Sequence, residues 1–245
     1  MTKQPVTLVT GANKGLGKEV ARQLSGLGMR VYLGSRNVER GKAAADDLAK
    51  DGADVTAIAL DVTDAASVAA AARHIEGHEG LLDILINNAG VLHRVPALET
   101  DAENLLATYD VNVFGTVRTI RAFLPLLQRS AHPRIVNVTS TSASMTLTSD
   151  PATPFGQSGT IVAYASSKAA VTMMSLQYAN AFRRHPSHAH IKINAATPGH
   201  IATDLNGHAG TRTVKQGAKI VVDLATLPDN GPSGGYFNED GLLPW

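Results

Sequence analysis

The sequence predicts a single α/β domain, a doubly wound parallel sheet with helices on both faces. Short β-branched runs of four to seven residues, apolar nearly throughout, alternate along the chain with longer Ala/Leu-rich periodic segments. Strands buried on both faces read that way, because helices cover each side of a parallel sheet. The segments between strands are long enough for helical crossovers, which makes βαβ units. No fixed-period repeat, low-complexity block or linker divides the 245 residues, so one domain over 1–245 is expected.

The first strand is expected over 6–10, and it runs straight into Gly11-Ala12-Asn13-Lys14-Gly15-Leu16-Gly17 and a helix over 15–27. Glycines there permit a tight turn and close backbone approach to a pyrophosphate, which then sits at the helix N-terminus. The spacing is Gly-x-x-x-Gly-x-Gly, and no Gly-Lys-Ser/Thr closes it as in a nucleotide-triphosphate loop. Taken alone, the turn fits an empty strand–helix junction as well as a phosphate cradle; the strand before it and the helix after it favour the cradle. A second strand (30–35) and helix (38–50) follow, then a third strand (55–61) and helix (65–79). The fourth strand, 84–87, ends in Asn87-Asn88-Ala89-Gly90. A long helix over 101–128 carries Asn112 between the apolar Val111 and Val113. The fifth strand, 134–139, delivers Ser140 at its end. The segment 145–160 is rich in Thr, Ser, Pro and Gly, hence a loop. A helix over 163–184, a strand over 191–196 and a helix over 213–227 complete the expected set.

Tyr164 and Lys168 stand four residues apart, so on a helix they share a face. A free phenol, with a pKa of about 10, is a poor acid–base group at neutral pH, and a nearby cation favours its ionised form. Alone, the pair fits two ordinary helix residues; beside the glycine turn, Asn87–Gly90, Asn112 and Ser140 it reads as a tuned general acid, with Lys168 expected to lower the pKa of Tyr164. Composition removes other chemistries. The net charge of +1 gives no electrostatic case for nucleic acid or an anionic membrane, and the absence of cysteine removes disulfides and thiolate catalysis. No apolar stretch approaches the ~18 residues of a spanning helix, and the N-terminal residues do not read as a signal-peptide core; a cytoplasmic protein is expected. Nine histidines include His185, His188 and His190. Their spacing is no recognised ligand set, so no metal is expected.

Thr10-Gly-x-x-x-Gly-x-Gly17, Asn87-Asn-Ala-Gly90, Asn112, Ser140, Tyr164-x-x-x-Lys168 and Pro198-Gly199, in that order over nearly the whole chain, resemble the short-chain dehydrogenase/reductase family. The turn Thr-Gly-Ala-Asn-Lys-Gly and the tail Gly234-Gly235-Tyr236-Phe237 resemble its carbonyl-reductase-like branch. The resemblance implies a Rossmann-type fold and hydride transfer between a nicotinamide cofactor and a small carbonyl or alcohol. It implies Tyr164 as the proton donor to a carbonyl oxygen, Lys168 as its tuner and a ribose ligand, and Ser140 as a second donor to that oxygen. Asn112 would hold a water leading from Lys168 to solvent. Thr139 and Ser142 are rivals to Ser140. The cofactor would lie against Gly11, Asn13, Lys14, Gly15, Leu16 and Gly17, with Asp61 and Val62 at the adenine. Asn87, Ala89 and Gly90 would line the adenosine ribose, and Pro198, Gly199, Ile201 and Thr203 would flank the nicotinamide. Ser140 and Tyr164 are 24 positions apart, longer than is usual in the family. The surplus, 145–160, either shapes the substrate pocket through Met145, Leu147 and Phe155 or is a solvated insertion. The resemblance also implies a homo-oligomer paired through 101–128 and 163–184, with the alternative of a monomer, since its carbonyl-reductase-like branch includes monomers in which a longer insertion before the tyrosine covers that surface.

NADPH is expected over NADH. A carboxylate at the end of the second strand would bind ribose hydroxyls and repel a 2′-phosphate, and this chain has Gly34-Ser35-Arg36-Asn37 there. Arg36 and Lys14 can grip the phosphate, with Ser35 as a further donor. The expected activity is NADPH-dependent reduction of a ketone or aldehyde. An oxidative alcohol, steroid or polyol dehydrogenase and a catalytically silent dinucleotide sensor are the alternatives.

Overall fold

The computed structural model describes residues 4–245. It contains the expected sheet, extended by two strands. β1 (Val6–Val9), β2 (Arg30–Ser35), β3 (Val55–Ala59), β4 (Ile84–Asn87), β5 (Arg134–Val138), β6 (Lys192–Ala196), β7 (Tyr236–Asn238) and β8 (Gly241–Leu242) form one sheet in the order β3-β2-β1-β4-β5-β6-β7-β8. Neighbours from β3 to β7 are parallel, and β7–β8 is an antiparallel hairpin. The order reverses between β1 and β4, and the crevice at such a switch point is where doubly wound sheets bind ligands.

Alternation along the central strands divides the core. Val9, Leu33, Ile86 and Val136 face α1 (Gly15–Gly26), α2 (Val38–Ala49) and, at the far end of the chain, the helix Val214–Ala225. Leu8, Tyr32, Leu85, Ile135 and Ile193 face α3 (Ala65–Glu79), the helix Gly115–Gln128 and the helix Val162–Arg184. Phe123, Leu8 and Ile86 are fully buried. Both faces of each central strand are thus apolar and covered, as the unbroken hydrophobic runs require.

Two segments differ from expectation. The helix expected over 101–128 is three pieces: α4 (Ala102–Tyr109), a π-turn (Asp110–Phe114) and α5 (Gly115–Gln128), with the Gly115 N–H donating to the Asp110 carbonyl. A π-turn adds one residue to a helix without ending it, so apolar periodicity continues across it and conceals it. The expected loop 145–160 opens with a short helix, α6 (Met145–Ser149), started by the Ser144 hydroxyl accepting from Leu147 N (3.1 Å). α7 (Val162–Arg184) and α8 (Val214–Ala225) follow the expected ranges closely. Leu106, Phe114 and Met173 are exposed apolar side chains on α4, the π-turn and α7, the segments expected to pair between copies. Among the described residues, no helix is long and apolar enough to cross a membrane.

Candidate active site

The β1–α1 turn requires glycine at two positions. Gly11 has φ +62°, and a Cβ on it would lie 2.8 Å from Ala89 Cα. A Cβ on Gly17 would lie 2.5 Å from Asn88 Nδ2. Asn88 stitches the two loops together, its Nδ2 donating to the carbonyls of Thr10 (2.9 Å) and Gly11 (3.1 Å). The Thr10 hydroxyl accepts from the backbone N–H groups of Asn88 and Ala89, both at 3.0 Å. α2, α3, α4 and α8 each begin on a side chain that accepts from the first turn: Asn37, Asp64, Asp101 and Thr213. α1 begins at Lys14, whose side chain caps nothing, with no acid in the first turn. The first N–H groups at Gly15, Leu16 and Gly17 therefore remain for an external acceptor, and a dinucleotide pyrophosphate fits them.

Beside this turn lies a cleft of about 570 Å³ lined by Asn13, Lys14, Lys18, Arg40 and Lys50, with Asp47 and Asp204 on its rim. Lys14 pairs there with Asp204 at 2.6 Å. Arg36 is exposed and forms no ion pair among the described residues, so its guanidinium is open to a phosphate. Ser35 differs from expectation: it is buried, and its hydroxyl donates to the Asn37 carbonyl (2.8 Å), which leaves it no proton for a ligand. Arg40 is a cation the sequence reading did not include; it lies in the first turn of α2, four residues after Arg36, which precedes the Asn37 cap.

Asp61 accepts from the N–H and hydroxyl of Thr63 (2.9 and 2.7 Å). Burial raises its pKa, but the Thr63 bonds and the cations Arg36 and Arg118 outweigh this and hold it below the ordinary value. The Val62 carbonyl accepts from Arg118 Nη1 at 3.2 Å. Asn87 turns inward: its Nδ2 donates to Asn137 Oδ1 (2.8 Å), and its Oδ1 accepts from the Thr119 hydroxyl (2.7 Å). The side chain bridges β4, β5 and α5, so only its main chain is left for a ribose.

After β6 the backbone passes Pro198 and Gly199 into a loop laid over the glycine turn. The Thr203 methyl would lie 3.6 Å from a Cβ on Gly15. The loop is pinned by Asn206, which donates to the Ile201 carbonyl (2.9 Å), and by Arg212, paired with Glu239. Ile201 is buried in the core beneath α8, so its backbone, not its side chain, is available to a nicotinamide.

Four elements bring the catalytic candidates together. The end of β5 supplies Ser140, which opens a short 3-10 turn, Thr141–Ala143. The first turns of α7 supply Tyr164 and Lys168, and the π-turn supplies Asn112. Ser140 Oγ lies 2.9 Å from Ser142 Oγ, and its hydroxyl is near enough to the Tyr164 phenol to draw that phenol's pKa down. Of its two rivals, Thr139 is tied to the Ala196 carbonyl (2.7 Å from its N) within the sheet, and Ser142 reaches the group through Ser140. Lys168 is buried at 5% exposure, and its Nζ donates to the Val138 carbonyl at 2.9 Å. A Cβ on Gly90 would lie 3.3 Å from Asn112 Oδ1 and 3.4 Å from Lys168 Nζ, so Gly90 leaves open the space between them. Asn112 donates to the Val91 carbonyl (3.1 Å) and Ser167 Oγ (2.9 Å) and accepts from Val91 N (2.8 Å). That fixes its amide and leaves one acceptor position on Oδ1 for a water.

The electrostatics reverse one expectation. Burial pushes the Tyr164 phenol above its ordinary value, while the Ser140 hydrogen bond and the Arg94 cation pull it down. Burial outweighs the lowering expected of the Tyr–Lys pair; the Lys168 ammonium bonds Val138 and stands 5.8 Å from the Tyr164 ring centroid. Burial pushes Lys168 itself down to about 8.

The 145–160 insertion is anchored on both sides of this group. Thr146 N and Oγ1 donate to the Trp245 carbonyl (2.8 and 2.6 Å), and Val95 N donates to the Thr160 carbonyl (3.0 Å). Met145 is 74% exposed at its start. The His185–His190 turn is a surface feature in which Ser187 contacts His185 and His188, whose Nδ1 atoms are 2.9 Å apart. Among the described residues, no three His, Cys, Asp or Glu side chains come together to hold a metal.

With this geometry in hand, comparison with known proteins is specific. The family model for short chain dehydrogenases matches residues 5–214. The chain is 33% identical to (−)-isopiperitenone reductase of Mentha piperita, with 98% of each chain covered. The structure of salutaridine reductase from Papaver somniferum is similar with a TM-score of 0.79 at 29% identity, covering 96% of this chain and 100% of that one. NADPH-bound carbonyl reductase from chicken fatty liver gives a TM-score of 0.86 at 26% identity, covering 99% and 100%.

Proposed function

This chain belongs to the short-chain dehydrogenase family, and from that premise we propose that it reduces a ketone or aldehyde to an alcohol with NADPH. The observation that carries the reading is the gathering of the Ser140 hydroxyl, the Tyr164 phenol and a buried Lys168, whose ammonium stands 5.8 Å from the Tyr164 ring centroid. Bound along the glycine turn, the cofactor supplies the hydride. The Ser140 hydroxyl donates to the substrate carbonyl oxygen and holds it at the phenol, so charge developing on that oxygen meets a fixed donor. Tyr164 then transfers its proton to the oxygen as it becomes an alcohol. Its raised pKa keeps it protonated at neutral pH, the state reduction needs and oxidation does not. Lys168, poised near pH 8, passes a proton back toward the phenolate left behind, and a water on Asn112 resupplies it from solvent.

The reductase names of the relatives agree with this direction, as does the NADPH in the carbonyl reductase structure. Lys14, Arg36 and Arg40 form the 2′-phosphate site, with Lys14 passing from Asp204 to the phosphate. The test is NADPH consumption with a panel of ketones and aldehydes, run against NADP⁺ with the matching alcohols. Tight NADPH binding without turnover in either direction would favour the silent sensor.

Arg36→Ala reads the phosphate directly. A charge-assisted hydrogen bond is worth about 1.5–3 kcal/mol, so kcat/KM with NADPH should fall ~10–150-fold. With NADH it should barely change. Equal losses with both cofactors would mean that Arg36 does not read the phosphate.

A further inference from the structure

At the main chain of Ser140 lies a second phenol that the proposed chemistry does not use. Tyr236 opens β7, pairs with Ala195 of β6 and is fully buried. Its hydroxyl donates to the Ser140 carbonyl at 2.6 Å. That carbonyl also accepts the Ala143 N–H at 2.9 Å, so the turn carrying the Ser140 side chain is gripped at one oxygen by two donors. The Tyr236 ring is wedged in place: it packs with Ala143 and Ala195, stands 6.0 Å from the Trp245 ring, and its own carbonyl accepts from Leu243 N (2.8 Å). Trp245 in turn accepts both bonds from Thr146 of α6. The C-terminal hairpin is therefore joined to the serine and to the insertion through one aromatic side chain.

We infer that Tyr236 is a positioning residue for Ser140, fixing the backbone from which the serine hydroxyl reaches the substrate oxygen and the Tyr164 phenol. This rests on the reductase reading above. Ser140 alone sits on a short turn at a strand end, and a hydroxyl can rotate to Ser142, 2.9 Å away, as readily as to a substrate. A rigid carbonyl fixes the Cα–Cβ direction and leaves only that choice. Burial and the neighbouring Tyr164 both push the Tyr236 phenol upward, so it remains a neutral donor at any working pH.

The experiment is a double-mutant cycle. Tyr236→Phe keeps the ring and its packing and removes one hydroxyl; the Ala143 bond to the carbonyl remains. In wild type it should lower kcat roughly tenfold, the worth of one hydrogen bond, with the KM for NADPH unchanged. In a Ser140→Ala background it should lower kcat less than about twofold, because the group it positions is gone. The same loss in both backgrounds, or no loss in wild type, overturns the inference, since a purely structural role acts equally with or without the serine. A second readout needs no turnover. The Tyr164 phenolate, taken as the absorbance difference from Tyr164→Phe, should appear at higher pH in Tyr236→Phe, because a loosened Ser140 no longer favours the ionised form. An unchanged onset counts against the inference. A wild-type enzyme inert toward every carbonyl would instead sink the reductase reading, while this titration still decides whether Tyr236 positions Ser140.

Discussion

Tyr164→Phe is expected to leave the fold and NADPH binding intact while kcat falls ~10²–10⁴-fold, the usual worth of a general acid. The substitution removes one oxygen from a half-buried side chain on the first turn of α7. The ring, the Ser140 hydroxyl and the Lys168 ammonium all remain, so substrate and cofactor can still assemble. What disappears is the proton, and no other described group is bonded to Ser140 in a way that could replace it: Ser142 is an alcohol, and the Tyr236 hydroxyl is committed to the main-chain carbonyl of the serine. The checks are steady-state kcat and NADPH affinity by fluorescence. Retention of more than about a tenth of wild-type kcat lies well outside the range for general acid catalysis and would remove Tyr164 from that role.

Lys168→Met should cost the enzyme its turnover by at least ~10²-fold, and at the same time relieve a strain on the fold. Burial lowers the Lys168 pKa to about 8, against 10.5 for an ordinary lysine. Each pKa unit is about 1.4 kcal/mol, so housing the ammonium costs the folded state about 3 kcal/mol. The folded pKa is the depressed one. Below pH 8 both states carry the proton and the penalty is complete. Between about 8 and 10.5 the unfolded chain still holds a proton that the folded protein has released, and stability rises with pH. Wild type should therefore gain stability relative to Lys168→Met as pH is raised from 7 to 10. Urea unfolding of both proteins at the two pH values measures the difference, and the comparison cancels whatever the substitution does to the Val138 carbonyl. A difference that does not move with pH would mean that Lys168 is not held charged in a low-dielectric site.

How much of this was legible in the sequence depends on the range of the interaction. β1, its glycine turn and α1 were readable because hydrophobic period and turn chemistry are local. β7 and β8 were not: three- and two-residue strands joined by the two-residue loop Glu239-Asp240 are too short to show a period. The π-turn left no trace because apolar spacing carries on through it. Residue types at motif positions named the catalytic candidates but not where every side chain points. Ser35, Asn87 and Ile201 lie where the motifs put them, yet Ser35 is taken up by a turn two residues on, at the Asn37 carbonyl, and Asn87 and Ile201 by partners distant in sequence, the Asn137–Thr119 bridge and the α8 contact. The direction of the Tyr164 shift failed for the same reason. A Tyr–Lys spacing shows that two groups share a face, but not that burial outweighs the cation, nor that the ammonium bonds the Val138 carbonyl.

The π-turn has a consequence for which insertions and deletions the chain can accept. It holds one residue more than the same rise of α-helix, and that surplus lies among Asp110–Phe114. Removing a single residue there would let the backbone close into ordinary i→i−4 bonding, with α4 and α5 keeping their phase against α7. The Asn112 amide would lose its aim at Val91 and Ser167, which no other residue holds in the same way. Deletion of Val111 should thus give a protein that melts near the wild-type temperature and turns over poorly; loss of the fold with the activity would refute this. Most one-residue gaps damage a helix first and its function second, and at this position the order is inverted.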